Sequence, residues 1–204
     1  MLSSRFAVLS LALAAVTSTA LAVPIVQVDG VFDSNDSYDP GMTLIDSVGE
    51  SGLDSPQLDI WKVYFQSDDT YYYMGLQVKE PKIDTNGGST SFVGVTVWAC
   101  LFSDTGGGAL HALGVIMSGS TILLNLDGAF LLPAQYQAAA DDGLEVAVLK
   151  SVMTMMPPEG PFLFQGQLDD TGAMMDDQIS GLVPEPATLA AMALGALVLV
   201  RRRR

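Results

Sequence analysis

The sequence predicts an all-β protein, an antiparallel β-sandwich of the jelly-roll kind between two apolar ends. At least seven short runs rich in β-branched and aromatic residues recur along the middle of the chain, and short polar turns rather than long helices separate them. The 204 residues include one cysteine, so a disulfide within the chain is excluded and the core must stabilise the fold.

The first two predicted strands form a hairpin. Apolar and polar residues alternate in the first run, which places Trp61, Val63 and Phe65 on one face. Ser-Asp-Asp-Thr at 67–70 supplies turn chemistry, and a second strand follows over 71–78.

The remaining elements follow the same pattern. A mostly apolar, valine-rich run over 92–102 predicts a central strand. Beyond it we expect strands over 109–117, 121–126, 144–149 and 162–168, and one short helix over 133–140.

The amino-terminal end has the three parts of a secretory signal peptide. Arg5 precedes an apolar run over 6–16, and the small residues Ala20 and Ala22 place the expected cleavage before Val23. The alternative, a core helix, lacks a polar face or a cap. A signal peptide implies export through the Sec translocon and removal by signal peptidase.

The carboxy-terminal end has a second tripartite pattern. Pro184, Glu185 and Pro186 are followed by a run without charges over 187–200 and then by arginines at 201–204. A helix of this run would be about 21 Å long, shorter than the roughly 30 Å hydrocarbon core, so it predicts a short, mismatched transmembrane helix. The arginines should stay in the cytoplasm, with the body on the exported side.

This order of parts resembles the PEP-CTERM sorting signal of Gram-negative bacteria. The resemblance implies that an exosortase, a membrane cysteine transpeptidase, cuts near Pro184, Glu185 and Pro186 and passes the body to the cell surface or the extracellular polymer matrix. The membrane is then contacted only transiently, at the inner membrane. The alternative is a permanent anchor, which leaves the body on the same side.

These features divide the chain into four parts. We expect a signal peptide over 1–22, a sandwich domain over 23–168, an acidic linker over 169–183 and a sorting signal over 184–204. The net charge of the chain is −14 and all five arginines lie in the two ends, so the exported body is more acidic still. Nucleic-acid binding is excluded on this basis, whereas divalent cations are attracted.

Three passages of the body resemble the DOMON-like superfamily, especially family 9 carbohydrate-binding modules. They are the Asp-Gly opening at 28–33, the turn and aromatic strand at 68–78, and the glutamate-containing strand at 144–148. The resemblance implies a carbohydrate-binding-like sandwich that contacts extracellular polysaccharide. Tyr38 stands near the position where the family commonly has a tryptophan.

Aromatic side chains are the candidate ligand-binding residues, because flat rings bind sugar faces. Tyr71 and Tyr73 share a face opposite Tyr72, so at least one ring should meet solvent unless both faces are covered. Trp61 and Trp98 fit either a binding surface or the core.

Two acidic groups are candidate cation ligands. The first is a possible structural calcium loop, since calcium prefers six to eight oxygen ligands; its residues are Asp29, Asp33, Asn35, Asp36 and Asp39. It lacks the EF-hand pattern, and the alternative is a solvated loop of Asx turns. The second group precedes the sorting signal and predicts a charged spacer; its residues are Asp169, Asp170, Asp176 and Asp177.

The sequence gives little support for catalysis. His111 is the sole histidine and no G-x-S-x-G context surrounds a serine, so we expect no catalytic residue. Cys100 lies in an apolar run that predicts a buried thiol. The hypothesis is a non-enzymatic surface or matrix protein with a carbohydrate-binding-like sandwich. Alternatives are an acidic matrix protein without a specific ligand and a small glycan hydrolase.

Overall fold

The computed structural model of the chain covers the body of the protein with gaps. It describes residues 26–33, 36, 38, 40–46, 58–79, 82–85, 95–105, 111–153, 161–169 and 177–183. The predicted signal peptide at 1–22, with Ala20, Ala22 and Val23, and the sorting signal at 184–204 lie outside these residues. Within the described ranges, no helix has the length and apolar character needed to span a membrane.

Eleven strands make up the described part of the fold. In chain order they are β1 (Thr43–Ile45), β2 (Ile60–Ser67), β3 (Tyr71–Val78), β4 (Thr96–Asp104), β5 (His111–Ser118), β6 (Thr121–Leu126), β7 (Ala129–Phe130), β8 (Tyr136–Ala140), β9 (Gly143–Leu149), β10 (Phe162–Asp169) and β11 (Asp177–Val183). Short 3₁₀ turns precede β1, at Pro40–Met42, and β8, at Pro133–Gln135.

The strands form two antiparallel sheets. A five-stranded sheet has the order β1-β2-β3-β9-β8, and a six-stranded sheet has the order β11-β10-β4-β5-β6-β7. All of these neighbours pair antiparallel. The predicted all-β class with two antiparallel sheets is confirmed.

Aromatic rings from both sheets meet in the core. Phe65 on β2 lies edge-on to Phe164 on β10, with ring centroids 4.9 Å apart, and to Phe162 at 5.4 Å. Phe164 also contacts Phe102 and Trp98 on β4, at 5.4 and 6.4 Å. Edge-to-face packing of this kind stabilises a pair beyond the area it buries. Phe164 therefore lies at the centre of the contact between the sheets.

The position of Trp61 differs from the expectation. The register of β2 against β3 shifts between Ile60 and Lys62, and a β-bulge of this kind adds one residue to one strand. Ile60 therefore shares the buried face with Val63 and Phe65, while Trp61 is 38% exposed. The prediction that Trp61 shares the face of Val63 and Phe65 is wrong for this reason.

The expected helix over 133–140 is also wrong. Pro133 begins a single 3₁₀ turn, and the alanine-rich residues that follow form β8, which pairs with β9. The Tyr136 hydroxyl donates to the carbonyl oxygen of Ile122, 3.0 Å away. Pairing with a buried strand overrides the helix propensity of alanine.

The sandwich extends beyond its expected end at residue 168. Strand β11 lies within the expected linker over 169–183 and pairs with β10 along its whole length. Ile179 and Val183 point into the core and are buried. The linker prediction is therefore wrong for Asp177–Val183, because alternate apolar residues place this segment at the edge of the six-stranded sheet.

The amino-terminal segment, of which residues 26–33, 36 and 38 are described, covers the outer face of the five-stranded sheet. Val26 forms a buried cluster with Tyr73 on β3 and Ala147 on β9, and Val28, Tyr38 and Tyr71 pack against this cluster. As a result, six consecutive residues of β9 are buried, although only alternate residues of a strand can face the space between the sheets. This third layer buries a sheet face that would otherwise meet solvent.

The position of Phe164 gives the first prediction. We expect Phe164→Ala to lower the free energy of unfolding by about 3–5 kcal/mol, because it leaves a cavity among the three aromatic rings of Phe65, Trp98 and Phe102. Leu163→Ala, on the next residue, is the control: Leu163 is 46% exposed, so its loss should cost below about 1 kcal/mol. Equilibrium urea unfolding measures both, and equal losses would contradict the assignment of the core.

Candidate functional site

Glu145 on β9 holds the amino-terminal segment in place. Its Oε2 accepts hydrogen bonds from the backbone N–H groups of Asp29, at 3.0 Å, and Gly30, at 2.9 Å. Its Oε1 accepts a hydrogen bond of 2.9 Å from the Tyr38 hydroxyl. The carboxylate is fully buried, and burial raises its pKa against the opposing effect of these three donors. A buried carboxylate with three donors is a structural anchor.

Gly30 is required beside this carboxylate. Its φ angle is +83°, and a Cβ atom would lie 2.7 Å from the backbone nitrogen of Asp141. Only glycine suits both the left-handed conformation and this close approach. The Asp-Gly opening therefore has a structural explanation in the described residues.

The predicted calcium loop uses its carboxylates for local hydrogen bonds. Asp29 accepts from the backbone N–H of Val31, at 2.9 Å, and from the side chain of Gln27, at 2.7 Å. Asp36 accepts from the backbone N–H groups of Gln27, at 3.3 Å, and Asp33, at 3.1 Å. Of these, the bond from Val31 to Asp29 has the spacing of an Asx turn, and the others hold the segment together. Calcium binding here stays a prediction.

Two of the five proposed loop ligands, Asn35 and Asp39, lie outside the described residues. Of the second acidic group, Asp170 and Asp176 also lie outside them. Asp177 is 3% exposed, so its expected role as a solvated spacer residue is wrong. It is the first residue of β11, where the pairing of that strand buries it.

The two tryptophans have different environments. Trp98 is 0% exposed and packs on Phe164, so its proposed role as a sugar-contacting residue is wrong. Trp61 remains accessible, and the Lys62 ammonium lies 3.8 Å from the centroid of its ring. Of these two, only Trp61 presents aromatic surface to a ligand.

The three tyrosines of β3 do not form a flat exposed platform. Tyr73 is buried, and its ring is tilted by 50° to that of Tyr71, with centroids 5.9 Å apart. Tyr72 is half-buried on the opposite face and packs against the core between the sheets. The three rings therefore form no flat exposed platform, while a ligand-binding role for the half-buried Tyr71 and Tyr72 stays a prediction.

A turn carboxylate fixes the start of this strand. Asp68 accepts hydrogen bonds from the backbone N–H groups of Thr70, at 2.6 Å, and Tyr71, at 2.7 Å. It also accepts one of 2.7 Å from the Tyr73 hydroxyl. Burial raises the pKa of Asp68, but these hydrogen bonds outweigh it, so the pKa lies below its usual value.

A shallow depression of about 380 Å³ lies on the outer face of the six-stranded sheet. Its lining is mainly aliphatic and uncharged polar: Leu101, Ser103, Leu163, Phe164, Gln165, Ser180, Gly181 and Leu182. The single ring in this lining belongs to Phe164, which is buried between the sheets. The depression therefore offers no aromatic face for stacking on a sugar.

His111 and Cys100 have structural environments. His111 Nδ1 lies 2.9 Å from Asp127 Oδ2, and the other oxygen of Asp127 accepts the backbone N–H of Ala112 at 2.8 Å. This arrangement ties β5 to the turn that follows β6.

Cys100 is fully buried, and burial raises the pKa of its thiol well above the usual value, which disfavours the nucleophilic thiolate.

A group of three carboxylates is the strongest candidate site in the described residues. Asp46, Asp59 and Asp177 each place one carboxylate oxygen within 4.8 Å of the others. Asp46 directly follows β1, Asp59 directly precedes β2, and Asp177 begins β11. The group therefore lies where the edge of the five-stranded sheet meets the edge of the six-stranded sheet.

The three carboxylates have different partners. The Asp177 carboxylate accepts hydrogen bonds from the backbone N–H groups of Ile60, at 2.6 Å, and Gln178, at 2.8 Å. Both oxygens of Asp59 accept hydrogen bonds from the Lys79 ammonium, at 2.7 and 2.5 Å. Asp46 Oδ2 is buried without a hydrogen-bond partner in the described structure.

Charge accumulates in this group. Burial, together with the charges of Asp46 and Asp59, raises the pKa of Asp177 to about 6, against the opposing effect of its two backbone hydrogen bonds. The sequence does not reveal the group of Asp46, Asp59 and Asp177, because Asp177 is far along the chain from the other two. The one available signal was the alternation of Ile179 and Val183 after Asp177, which predicts a strand.

The last described residue adjoins the sorting motif. Val183 is fully buried and pairs with Phe162 on β10. Residues 182–204 match the family model of the PEP-CTERM protein-sorting motif. This match confirms the motif at Pro184, Glu185 and Pro186, and it implies export, sorting to the bacterial cell surface and exosortase processing.

The comparisons give no counterpart for the body of the chain. No curated protein and no solved structure matches it. The resemblance of the body to DOMON-like modules therefore stays a prediction.

The environment of Asp68 gives a prediction on pH dependence. Because its pKa is lowered on folding, the ionised carboxylate stabilises the fold above the unfolded pKa, and this contribution is lost as the pH falls through the folded pKa. We expect Asp68→Asn to lower the free energy of unfolding by about 1 kcal/mol at pH 7. Urea unfolding at pH 7 and at pH 3 should show the difference shrinking at the lower pH. A difference independent of pH would contradict it.

Proposed function

We propose that the PEP-CTERM motif delivers the folded β-sandwich to an exosortase at the inner membrane of a Gram-negative bacterium. The released body then acts as a non-enzymatic, structural component of the cell surface or extracellular matrix. The match to the motif at 182–204 is the observation that carries this proposal: it overlaps the last two residues of the edge strand β11, and its Pro-Glu-Pro directly follows that strand.

The boundary between β11 and the motif allows the body to be released with its last strand intact. Asp177–Val183 is the last strand, and Pro184 follows it directly. A cut near Pro184 to Pro186 removes the apolar run and the arginines while leaving every residue of β11 in the body. The sandwich therefore keeps its pairing with β10 after release.

Surface charge and ring positions favour a structural role over specific sugar binding. The chain has 23 acidic and 9 basic residues, and five of the basic residues are the arginines of the two ends. A strongly acidic surface keeps an exported protein soluble and attracts divalent cations that bridge it to other acidic polymers. The rings expected to bind sugar are mostly covered by the amino-terminal segment or buried in the core.

A second candidate function, contact with extracellular polysaccharide, depends on Trp61. Its side chain is 38% exposed, and the Lys62 ammonium lies over one face of the ring, 3.8 Å from the centroid. The accessible part of this ring suits a sugar face, because flat aromatic rings pack on sugars with polar groups beside them.

Replacement of the motif tests the sorting proposal. We expect Pro184→Ala combined with Glu185→Ala and Pro186→Ala to abolish conversion to the shorter form and to leave the protein in the membrane fraction. Gln178→Ala, on an exposed position of β11, is the control and should be processed normally. Immunoblots of membrane and released fractions measure this, and release of the triple variant would contradict the proposal.

Replacement of Trp61 tests the second candidate function. We expect Trp61→Ala to weaken sedimentation of the protein with uncharged polysaccharide at least tenfold, while its melting temperature stays within about 2 °C because the ring is exposed. Leu123→Ala, at another exposed apolar position, is the control. Equal sedimentation of wild type and Trp61→Ala would exclude Trp61 as the contact.

A further inference from the structure

The carboxylate group of Asp46, Asp59 and Asp177 has too few cations for its charge. Lys79 supplies one ammonium, and both of its short contacts go to Asp59. Two negative charges therefore remain uncompensated at a partly buried place. Like charges so close together, withdrawn from water, destabilise one another unless a further cation joins them.

An unpartnered oxygen points to where that cation belongs. Asp46 Oδ2 is buried, has no hydrogen-bond partner in the described structure, and belongs to a side chain that converges on the other two carboxylates. A buried acceptor without a donor is costly. A cation bound between the three carboxylates supplies the missing partner.

We propose that Asp46, Asp59 and Asp177 form a calcium site that ties the free edges of the two sheets together. Oxygen ligands select a hard cation, and each of the three carboxylates brings one oxygen to the group, with water left to fill the other positions. Calcium accepts six to eight oxygen ligands in flexible geometry, whereas magnesium requires a near-ideal octahedron and gives up water reluctantly. Three carboxylates brought together from three separate segments of the chain therefore suit the flexible coordination of calcium.

The backbone already holds two of the ligands. The N–H groups of Ile60 and Gln178 orient the Asp177 carboxylate. The backbone N–H of Asp46 donates to the carbonyl oxygen of Trp61, 3.0 Å away, and so fixes the chain beside β2. Pre-positioned ligands lose less conformational entropy on binding.

The place of the site gives it a structural consequence. Asp46 and Asp59 flank β1 and β2 in one sheet, and Asp177 begins β11 in the other. A bound ion links the strand that ends at the sorting motif to the opposite sheet. Extracellular modules bind calcium with a Kd of about 10⁻⁴–10⁻³ M, a range that suits a protein acting outside the cell. This comparison with extracellular modules rests on the proposed function, whereas the site itself does not.

Lys79 is the competing cation in this arrangement. Its ammonium holds both oxygens of Asp59, and calcium must share or displace that contact. Removal of the ammonium should therefore tighten calcium binding. A purely structural ion pair between Lys79 and Asp59 predicts no such effect.

Thermal melting of the full chain, followed by circular dichroism in EDTA and in calcium chloride, tests the proposal. At a calcium concentration a hundred times the Kd, we expect the melting temperature to rise by about 5–10 °C. Magnesium at the same concentration should give a smaller rise. An unchanged melting temperature in calcium would overturn the site, and an equal rise in magnesium would overturn its assignment to calcium.

Matched variants locate the effect. We expect Asp46→Asn and Asp177→Asn to lose the calcium-dependent rise, and Lys79→Gln to reach half of the rise at a calcium concentration several-fold lower. Asp69→Asn makes the same charge change at an exposed turn and should keep the full rise. Retention of the rise in Asp46→Asn would overturn the proposal.

Asp46→Asn decides the outcome if Asp177→Asn fails to fold. Asp177 holds backbone N–H groups, whereas Asp46 Oδ2 has no hydrogen bond to lose. Failure of calcium binding leaves the sorting proposal standing, because sorting is measured as release from the membrane and depends on residues 184–186.

Discussion

The packing of β10 against the five-stranded sheet is the constraint on which the rest of the body depends. Phe164 contacts Phe65 across the space between the sheets and Trp98 and Phe102 within its own sheet. Strand β10 also pairs with β4 on one side and β11 on the other. One strand thus fixes the distance between the sheets and the register of the strand that leads to the sorting motif.

Coverage of the outer sheet face explains why the aromatic side chains do not form a binding platform. The segment that begins at Val26 lies over β3 and β9, and Glu145 anchors it through backbone N–H groups and the Tyr38 hydroxyl. Tyr73 is buried under this layer, and Trp98 fills the core on the other side. A period-two pattern indicates that residues alternate between faces, but it does not indicate what covers each face.

Local chemistry made part of the fold predictable. The turn at Asp68 and the strand Tyr71–Val78 follow from short-range alternation and Asx-turn geometry, and the structure has both. The displaced Trp61 depends on one extra residue in β2, which alternation alone does not reveal. The strand Tyr136–Ala140 forms because β9 offers it a buried partner, a long-range contact that overrides the local preference of alanine.

The candidate site was beyond sequence reasoning for a related reason. Asp177 was assigned to a spacer by its acidic neighbours, and only the pairing of β11 with β10 brings it beside Asp46 and Asp59. The sorting motif, by contrast, is a contiguous pattern and was predictable from its residues. The carboxylate group and the sorting motif lie at opposite ends of β11. The strand begins at Asp177, whose carboxylate accepts a hydrogen bond from Ile60 in the opposite sheet, and it ends where the motif begins.

The central claim, a proposal, is that the sandwich has its last strand at Asp177–Val183 and that the two apolar ends of the chain are removed on export. Intact mass spectrometry of the protein recovered from the cell surface tests this most directly. The account predicts a chain that begins at Val23 and ends between residues 184 and 186. A surface protein that retains residues 187–204, or one that ends before Val183, would contradict it.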